Sequence, residues 1–569
     1  MEKTIHSGGK DIPRLVRDVS KRNLRKVFKM KSNWNRAEIF AFVLFGVAVA
    51  VILRWLWSGV FLAEFHSDTA DTLFAAAAVF DAGSIASPTY HHSYFLPFGG
   101  QLLVLPFLSA FGIGISALRC GMTVFLLCFV FATYALFRSL KWSRAACWLS
   151  SALVLVVASA TPKMREIYFG HVLYYSLGTL FFFLGLVFSP ELSGETETTR
   201  HARIRKVFFA LCMAWAASCG KPLLLYAIIP VLGGWILVRS GEDRPFSLSR
   251  DRRALCPGIL GAGIGLAAFS ILYIGIPPTE YGDAYSVFSL PELWLTNLKA
   301  LPAQWIALIC VGSWNQIPIV SGRGFFMVGG IAMAIVFAIA PVVALFRVRS
   351  FSFRERTLLA GHWTLTIEVL FFWVFGTISD ANWRLSPVML SSVAVTICLV
   401  KHALRDEIPL FRRLAVAGVL LLSAEGASIL FRTSTLPCNW HTWRGKQTLV
   451  SVLEDIDVHD GYCTDFWFSN ATTAITGNRF RLRQVVFGGG GWRPRLYLAD
   501  GRWFRPDSSR TKTVFVCLPN EESLAPAKGR VDRFECEQFD FRNNRLQKLI
   551  VFVYDDDCLN PTVRKKDNP

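Results

Sequence analysis

The sequence has 569 residues, of which 53% are hydrophobic, and its mean hydropathy is +0.40. A soluble protein of this size does not need so large an apolar fraction, so the composition predicts a membrane protein with several spans. The formal net charge of +19 does not indicate nucleic-acid binding, because the basic residues cluster between the apolar segments, as the positive-inside rule expects. We therefore expect membrane lipids around the chain and no nucleic-acid partner.

The chain begins with a basic segment, residues 1–37, which holds eleven Lys and Arg against three Asp and Glu. This segment is predicted to be a cytoplasmic anchor. Residues 38–431 are predicted to form an α-helical, polytopic transmembrane domain, because apolar runs of about bilayer length recur through them. These runs predict about eleven spans, at 39–57, 115–137, 145–160, 172–188, 207–219, 223–238, 258–276, 325–346, 358–377, 388–401 and 414–430.

The loops between these spans predict the orientation. Those that carry an excess of Lys and Arg are predicted to be cytoplasmic, and they are residues 138–144, 239–253, 347–356 and 401–413. With the N-terminus in the cytoplasm, the first outer loop is residues 58–112, and everything after the last span is extracytoplasmic. This arrangement predicts a multi-pass protein of the cell (inner) membrane.

The composition changes after the last span. In residues 432–569 the apolar runs shorten to strand length, as at 513–518 and 549–554, and Gly, Asn and Asp separate them. This pattern predicts a soluble, extracytoplasmic α+β domain. It contains five cysteines, so up to two disulfides are compatible with an oxidising compartment. They are Cys438, Cys463, Cys517, Cys536 and Cys558.

The first outer loop carries the strongest candidate for chemistry, Asp68. It lies just beyond the first predicted span, where a carboxylate touches water and still meets a group held in lipid. Glycosyl transfer to a hydroxyl needs a base, and a carboxylate beside an apolar wall has its pKa raised toward that task. Asp71, one helical turn further on, is a candidate for the same role. The alternative is that Asp68 caps a helix that begins at Thr69.

The layout of this loop resembles the GT-C superfamily of integral-membrane glycosyltransferases, which take sugars from polyprenyl-phosphate donors and include mannosyltransferases and arabinosyltransferases. In that superfamily an Asp after the first span precedes an alanine-rich helix, a glycine, an element with His and Pro, and an apolar helix ending in a Phe-Gly-like pair. The matching parts here are, in order, Asp68, residues 72–80, Gly83, residues 91–100 and residues 111–112. The resemblance is divergent, because Thr69 replaces the usual second acid and His91-His92-Ser93 replaces a His-Pro-Pro element.

The resemblance implies a role for Glu166 in the second outer loop, residues 161–171. This carboxylate would be catalytic, either by orienting the acceptor or by holding a metal together with Asp68. Two carboxylates suit a hard divalent cation such as Mg²⁺ or Mn²⁺. The alternative is a surface Glu166 that pairs with Lys163 or Arg165.

Three histidines of the outer loops are candidate substrate-binding residues: His91, His92 and His171. Adjacent residues such as His91 and His92 do not face the same way on a helix, so we do not expect them to share a metal. One of the two is expected to bind the donor phosphate and the other to be structural.

Two basic residues lie at the outer ends of spans, against the trend of the positive-inside rule. They are Lys221 and Arg384. A lipid-linked phosphate would explain both, since Arg binds phosphate through two hydrogen bonds and Lys as a point charge. GT-C proteins often carry an Arg-Tyr pair before a late span, whereas Leu385 follows Arg384 here. The alternative is a basic side chain that extends from the span to the membrane surface.

Together these residues predict a GT-C-type, inverting glycosyltransferase. It would move a sugar from a polyprenyl-phosphate donor to a glycan, lipid or protein acceptor of the cell envelope, on the outer face. Two other functions remain open at this point. A transporter or flippase of lipid-linked glycans would carry charges within its spans, whereas the acids noted here lie at outer ends. An envelope polysaccharide polymerase or ligase would also have many spans and basic outer loops.

Overall fold

The computed structural model describes residues 34–190, 200–242, 247–279, 287–310, 317–436, 440–505, 512–540 and 545–559. Most of the predicted basic segment 1–37 therefore lies outside the described residues. The helices of the membrane part are α1 (Arg36–Trp57), α2 (Gly59–Glu64), α3 (Ser67–Ala82), α4 (Gln101–Phe111), α5 (Ile115–Ser139), α6 (Arg144–Ala158), α7 (Pro162–Arg165), α8 (Tyr174–Phe188), α9 (Arg200–Ser218), α10 (Lys221–Ser240), α11 (Leu248–Tyr273), α12 (Pro291–Ile306), α13 (Gly322–Phe346), α14 (Phe353–Phe375), α15 (Ser386–Ala403) and α16 (Pro409–Ser434).

Within the described residues, eight helices are long and apolar enough to cross a membrane, and a ninth span arises if α6 and α7 are counted as one bent pair. The predicted polytopic helical fold is therefore confirmed, but the predicted count of about eleven spans is not. Helices α6 and α8 have 15 residues each, which is about 22 Å at 1.5 Å per residue, less than the ~30 Å of a bilayer core. Helix α9 begins with the basic stretch 200–206 and does not qualify.

The first outer loop folds onto the membrane helices. Helix α3 is buried along nearly its whole length, because its small side chains Ala75 to Ala78 allow close packing on all sides. It ends at Gly83, whose φ of 59° is the left-handed conformation that glycine adopts without strain. Its N-cap is His66, not Asp68, and the Asp68 carboxylate lies in the first turn. The interpretation of Asp68 as a helix cap is therefore wrong.

The C-terminal region contains both helices and strands, as predicted. Helices α17 (Trp440–Asp455) and α18 (Phe466–Ile475) accompany a six-stranded sheet in the order β4-β3-β2-β6-β8-β7. Its strands are β2 (Asp460–Cys463), β3 (Arg481–Gly488), β4 (Gly491–Pro494), β6 (Thr513–Cys517), β7 (Arg530–Asp540) and β8 (Arg545–Tyr554). Strand β2 is parallel to β3 and β6, and the other pairs are antiparallel.

The four cysteines of this region that the structure describes form no disulfide with one another, although the sequence allowed up to two. Cys463, Cys517, Cys536 and Cys558 are all free thiols, and the first three are buried. They fill the apolar interior of the sheet, as small hydrophobic residues do. The fifth, Cys438, lies outside the described residues.

The C-terminal region is attached directly to the first outer loop. Strand β1 (Tyr90–His91) pairs antiparallel with β5 (Ala499–Asp500), so Tyr90 lies opposite Asp500. Next to α3, the Ser67 hydroxyl donates a hydrogen bond to the carbonyl of Phe466 at the start of α18. These contacts fix one edge of the C-terminal region beside the first turn of α3, where Asp68 lies.

Candidate active site

A polar cavity of about 120 Å³ lies where the two outer loops meet the C-terminal region. Its polar and charged lining residues come from five separate parts of the chain, and they are Asp68, Asp71, Ser93, Tyr94, Lys163, Glu166, His171, Tyr174, Tyr175, Arg384 and Tyr497. The fold thus brings Asp68, Glu166 and Arg384 together, as we expected from the sequence. Their catalytic and binding roles remain predictions.

Asp68 is the more exposed of the two α3 acids that line this cavity. Its side chain is 32% exposed, and its Oδ2 lies 4.0 Å from Nδ1 of the fully buried His66. Burial raises the pKa of Asp68, and the nearby charge of Glu166 adds to this, while His66, Lys163 and Arg495 act in the opposite direction. A carboxylate with a raised pKa and access to a cavity has the properties that general base catalysis requires.

Asp71 lies one turn further along α3 and is more enclosed. Its Oδ1 accepts a hydrogen bond of 2.7 Å from the hydroxyl of Tyr90, and only 7% of the residue is exposed. Burial raises the pKa of Asp71 to about 7, although the Tyr90 hydrogen bond opposes the shift. Tyr90 therefore fixes the position of this carboxylate, and Asp68 is the better placed of the two to meet a substrate.

Glu166 lies in a π-helical turn (Glu166–Gly170) that continues α7. Its Oε2 is 2.6 Å from Lys163 Nζ and 3.0 Å from His66 Nε2, and its Oε1 is 4.0 Å from His171 Nδ1. Burial opposes ionisation of Glu166, but Lys163, His66 and His171 together hold its pKa below the usual range. The expected pairing with Lys163 is thus present, but Glu166 is buried in the cavity wall and is not a surface residue.

The pairing of Arg165 differs from the alternative that the sequence suggested. Its guanidinium binds the carboxylate of Glu64 on α2 and donates to the carbonyl of Ser159 at 3.1 Å. Arg165 therefore connects the second outer loop to the end of the first span and does not neutralise Glu166.

The three candidate histidines occupy different environments. His171 lines the polar cavity, and burial lowers its pKa to about 4, so it is neutral at pH 7. His92 is buried, with its ring against Tyr90 and Phe95, and His91 is half-buried in β1. Neither His91 nor His92 is among the residues that line the polar cavity or the larger cavity that adjoins it. The geometry therefore does not support the predicted phosphate contact.

A second, larger cavity of about 420 Å³ adjoins the polar one. Most of its wall is aromatic or aliphatic, and its basic lining residues are Lys221 and Arg384. The two cavities share four lining residues, Tyr94, Tyr174, Tyr175 and Arg384. Arg384 is 5% exposed and donates to Asp380 Oδ1 at 2.5 Å and to the Thr377 carbonyl at 3.3 Å. A buried guanidinium thus lies at the junction of a polar and an apolar cavity.

The sequence analysis missed several residues of this site. Tyr497 of the C-terminal region closes one side of the polar cavity. Glu368 of α14 lines the larger cavity. The position of Glu368 inside a predicted span is a signal that could have identified it, because ionisable residues are rare there. No local pattern marks Tyr497, since contacts between distant parts of the chain, among them the β1–β5 pairing, bring it to the loop.

The contacts of Glu166 do not fit the predicted divalent cation. A metal bound by Glu166 would lie next to the Lys163 ammonium, 2.6 Å from Oε2, and through Oε2 it would also compete with His66. Among the described residues, no group of three or more His, Cys, Asp or Glu is arranged to hold a metal ion.

Comparisons with known proteins place this geometry in a structural class. No protein-family model matches the sequence, and no curated protein matches it. The structure resembles ArnT from Cupriavidus metallidurans bound to undecaprenyl phosphate, with a TM-score of 0.52 and 14% identity over 90% of this chain and 97% of that one.

Two further structures score lower. The apo state of the same ArnT gives a TM-score of 0.49 with 12% identity over 91% of this chain and 98% of that one. The Archaeoglobus fulgidus oligosaccharyltransferase in complex with Zn and sulfate gives 0.46 with 12% identity over 83% and 67%. At 14% identity, the likeness to the first ArnT structure is a likeness of fold. The chain has the fold of the GT-C membrane glycosyltransferases.

Proposed function

We propose that this protein is a membrane glycosyltransferase that moves a sugar from a polyprenyl-phosphate donor to an acceptor on the outer face of the membrane. The observation that carries the proposal is the junction at Arg384. On one side lies a small polar cavity with the accessible carboxylate of Asp68, and on the other a larger aromatic cavity with Lys221. A lipid-linked sugar phosphate has the same division into a polar and an apolar part.

The donor phosphate is assigned to the junction. Arg384 presents a buried guanidinium there, and Lys221 adds a second positive charge on the side of the larger cavity. Charge-assisted hydrogen bonds from such groups stabilise a phosphate, and they stabilise it further as it becomes the leaving group. The aromatic wall of the larger cavity suits the first isoprene units. The ArnT structure of the same fold holds undecaprenyl phosphate, which supports this class of donor.

The transfer is a single displacement at the anomeric carbon of the sugar. A hydroxyl oxygen of the acceptor forms a bond to this carbon as the bond from the carbon to the phosphate oxygen breaks. The hydroxyl proton passes to the Asp68 carboxylate, and polyprenyl phosphate leaves with the electron pair. Attack from the face opposite the leaving group inverts the anomeric configuration. Glu166, held by Lys163 and His66, orients the acceptor at the same cavity.

The proposal includes an orientation in the inner membrane. The N-terminal segment would be cytoplasmic, and the first outer loop and residues 432–569 would be extracytoplasmic. Labelling of intact cells with a membrane-impermeant maleimide tests this orientation. A single cysteine in the exposed part of β4 should react, and a single cysteine in the base-rich loop 347–356 should be protected. Labelling of the loop and protection of β4 would reverse the orientation and place the site in the cytoplasm.

The class of acceptor is a glycan, lipid or protein of the cell envelope. The activity is measured with purified protein in liposomes that contain undecaprenyl phosphate linked to a radiolabelled sugar and an envelope extract as acceptor. We expect undecaprenyl phosphate to be released and the label to join the acceptor. Movement of intact donor across the bilayer without cleavage would instead show a flippase. Joining of diphosphate-linked oligosaccharides alone would show a polymerase or ligase.

A further inference from the structure

We propose that the ammonium group of Lys163 is the cation of the polar cavity, in the place where the sequence predicted a divalent metal, and that it contacts the donor phosphate. This inference rests on the proposed function for the identity of the donor. Whether Lys163 takes the place of a metal ion can be tested without measuring transfer activity.

The position of Lys163 is determined by its short helix. Helix α7 is capped by Thr161, whose hydroxyl accepts from the backbone N–H of Met164 at 3.2 Å, and Pro162 occupies its first position. This geometry turns Lys163 into the cavity, 2.6 Å from Glu166 Oε2. Its Nζ also lies 4.4 Å from the ring centroid of Trp383. The contacts with a carboxylate on one side and an indole face on the other hold the Lys163 ammonium in place.

The same contacts argue against a metal at this position. A divalent cation bound by Asp68 and Glu166 would lie within a few ångströms of the Lys163 ammonium, and the two positive charges would repel each other. A metal bound through Glu166 Oε2 would also displace Lys163 and His66 from that atom. The protein has thus already compensated the negative charge that would attract the metal.

Lys163 retains the capacity to bind a ligand. An ammonium has three N–H donors, and the Glu166 contact uses one of them. Its side chain is 30% exposed and lines the polar cavity together with Arg384, the residue that follows Trp383. Lys163 and Arg384 therefore border the same cavity, although they come from two distant segments of the chain. A phosphate between them would contact the Lys163 ammonium and the Arg384 guanidinium. The two positive groups would neutralise its charge, as a divalent cation often does at such sites.

Mn²⁺ binding to the purified protein, followed by electron paramagnetic resonance, tests the cation directly. We expect no Mn²⁺ site that depends on Asp68 or Glu166 in the wild type. Lys163→Glu adds a third carboxylate beside Glu166 and should create such a site, while Lys299→Glu, at an exposed position of α12, should not. Wild-type Mn²⁺ binding that is lost in Glu166→Gln would overturn the proposal, and so would the absence of a gain in a folded Lys163→Glu variant.

Transfer activity gives the second test. Wild-type activity should be unchanged by EDTA. Lys163→Met should lower transfer by 10-fold or more, and Lys163→Arg should restore a large part of it, because the charge and not the packing is needed. Activity that EDTA abolishes and Mg²⁺ restores would contradict the inference. If the wild type transfers no sugar at all, the proposed function fails, and the Mn²⁺ measurement still decides the question of the cation.

Discussion

The imidazole Nε2 of His66 lies 3.0 Å from Oε2 of Glu166, although the two residues come from different outer loops. The other nitrogen of the ring lies 4.0 Å from Asp68 Oδ2, and the ring is fully buried beside Trp467. His66 therefore fixes the separation of the two acids and connects them to the C-terminal region. A site held by such contacts is organised before any substrate arrives, which reduces the cost of orienting the acceptor.

Arg384→Gln should raise the donor KM by about 10- to 100-fold. A hydrogen bond to a charged group contributes about 1.5–3 kcal/mol, and each 1.4 kcal/mol is a factor of ten. Steady-state transfer at varied concentrations of polyprenyl-phosphate sugar measures the change. Arg323→Gln, at an exposed position near the start of α13, is the matched control and should leave the donor KM unchanged. An unchanged donor KM in Arg384→Gln would remove the phosphate from the junction of the two cavities.

Tyr497→Ala should raise the KM for the acceptor by about tenfold and change kcat little. Tyr497 lines the polar cavity and not the larger one, so its loss removes contacts with the acceptor that the ground state and transition state share. Kinetics at saturating donor separate the two constants. Phe487→Ala truncates an exposed aromatic residue of the same region and serves as the control. A kcat loss with unchanged KM would instead assign Tyr497 to the chemical step.

Asp71→Asn should stabilise the protein, and more so at pH 8 than at pH 5. The folded-state pKa of Asp71 is raised from 3.8 to about 7, so the folded state holds a proton that the unfolded state releases between these values. Stability therefore falls as pH rises through this window and is lowest above it. The Asn side chain does not ionise, so the stability of the variant does not fall in this way as pH rises. Its melting temperature in detergent should exceed that of wild type by a few degrees at pH 8.

The exposed acid Glu292 supplies the control for this prediction, since Glu292→Gln should show no such difference between the two pH values. An Asp71→Asn variant that is less stable than wild type at pH 8 would show that the ionised carboxylate, bonded to Tyr90, is a favourable part of the fold.

The sequence predicted those features that depend on local composition. Long apolar runs such as 39–57 and 325–346 became α1 and α13 because burial or lipid contact is the only stable state for them. Strands β6 and β8 followed from the short apolar runs at 513–518 and 549–554. The span count was harder to predict, because a 15-residue helix such as α6 has the composition of a span without its length.

The site was predictable only in part, and for a physical reason. Asp68 and Arg384 stood out because each is a charge at the edge of an apolar segment, where it needs an explanation. The partners of Glu166 were not determined by the sequence, since Lys163 and Arg165 are both close to it and only the turn of α7 selects Lys163. The contribution of Tyr497 depends on pairing between strands some 400 residues apart in the chain, which no local pattern encodes.

Transfer by Asp68→Asn tests the central claim most directly. Asn keeps the shape of the side chain but accepts no proton at neutral pH, so transfer from polyprenyl-phosphate sugar should fall by roughly 10²–10⁴-fold. Donor binding should change little, because the phosphate contacts are assigned to Arg384, Lys221 and Lys163. Asp71→Asn, measured in parallel at matched expression, should retain most of its activity. Full activity in Asp68→Asn would contradict the account. If only Asp71→Asn lost activity, the general base would be Asp71, one turn further along α3.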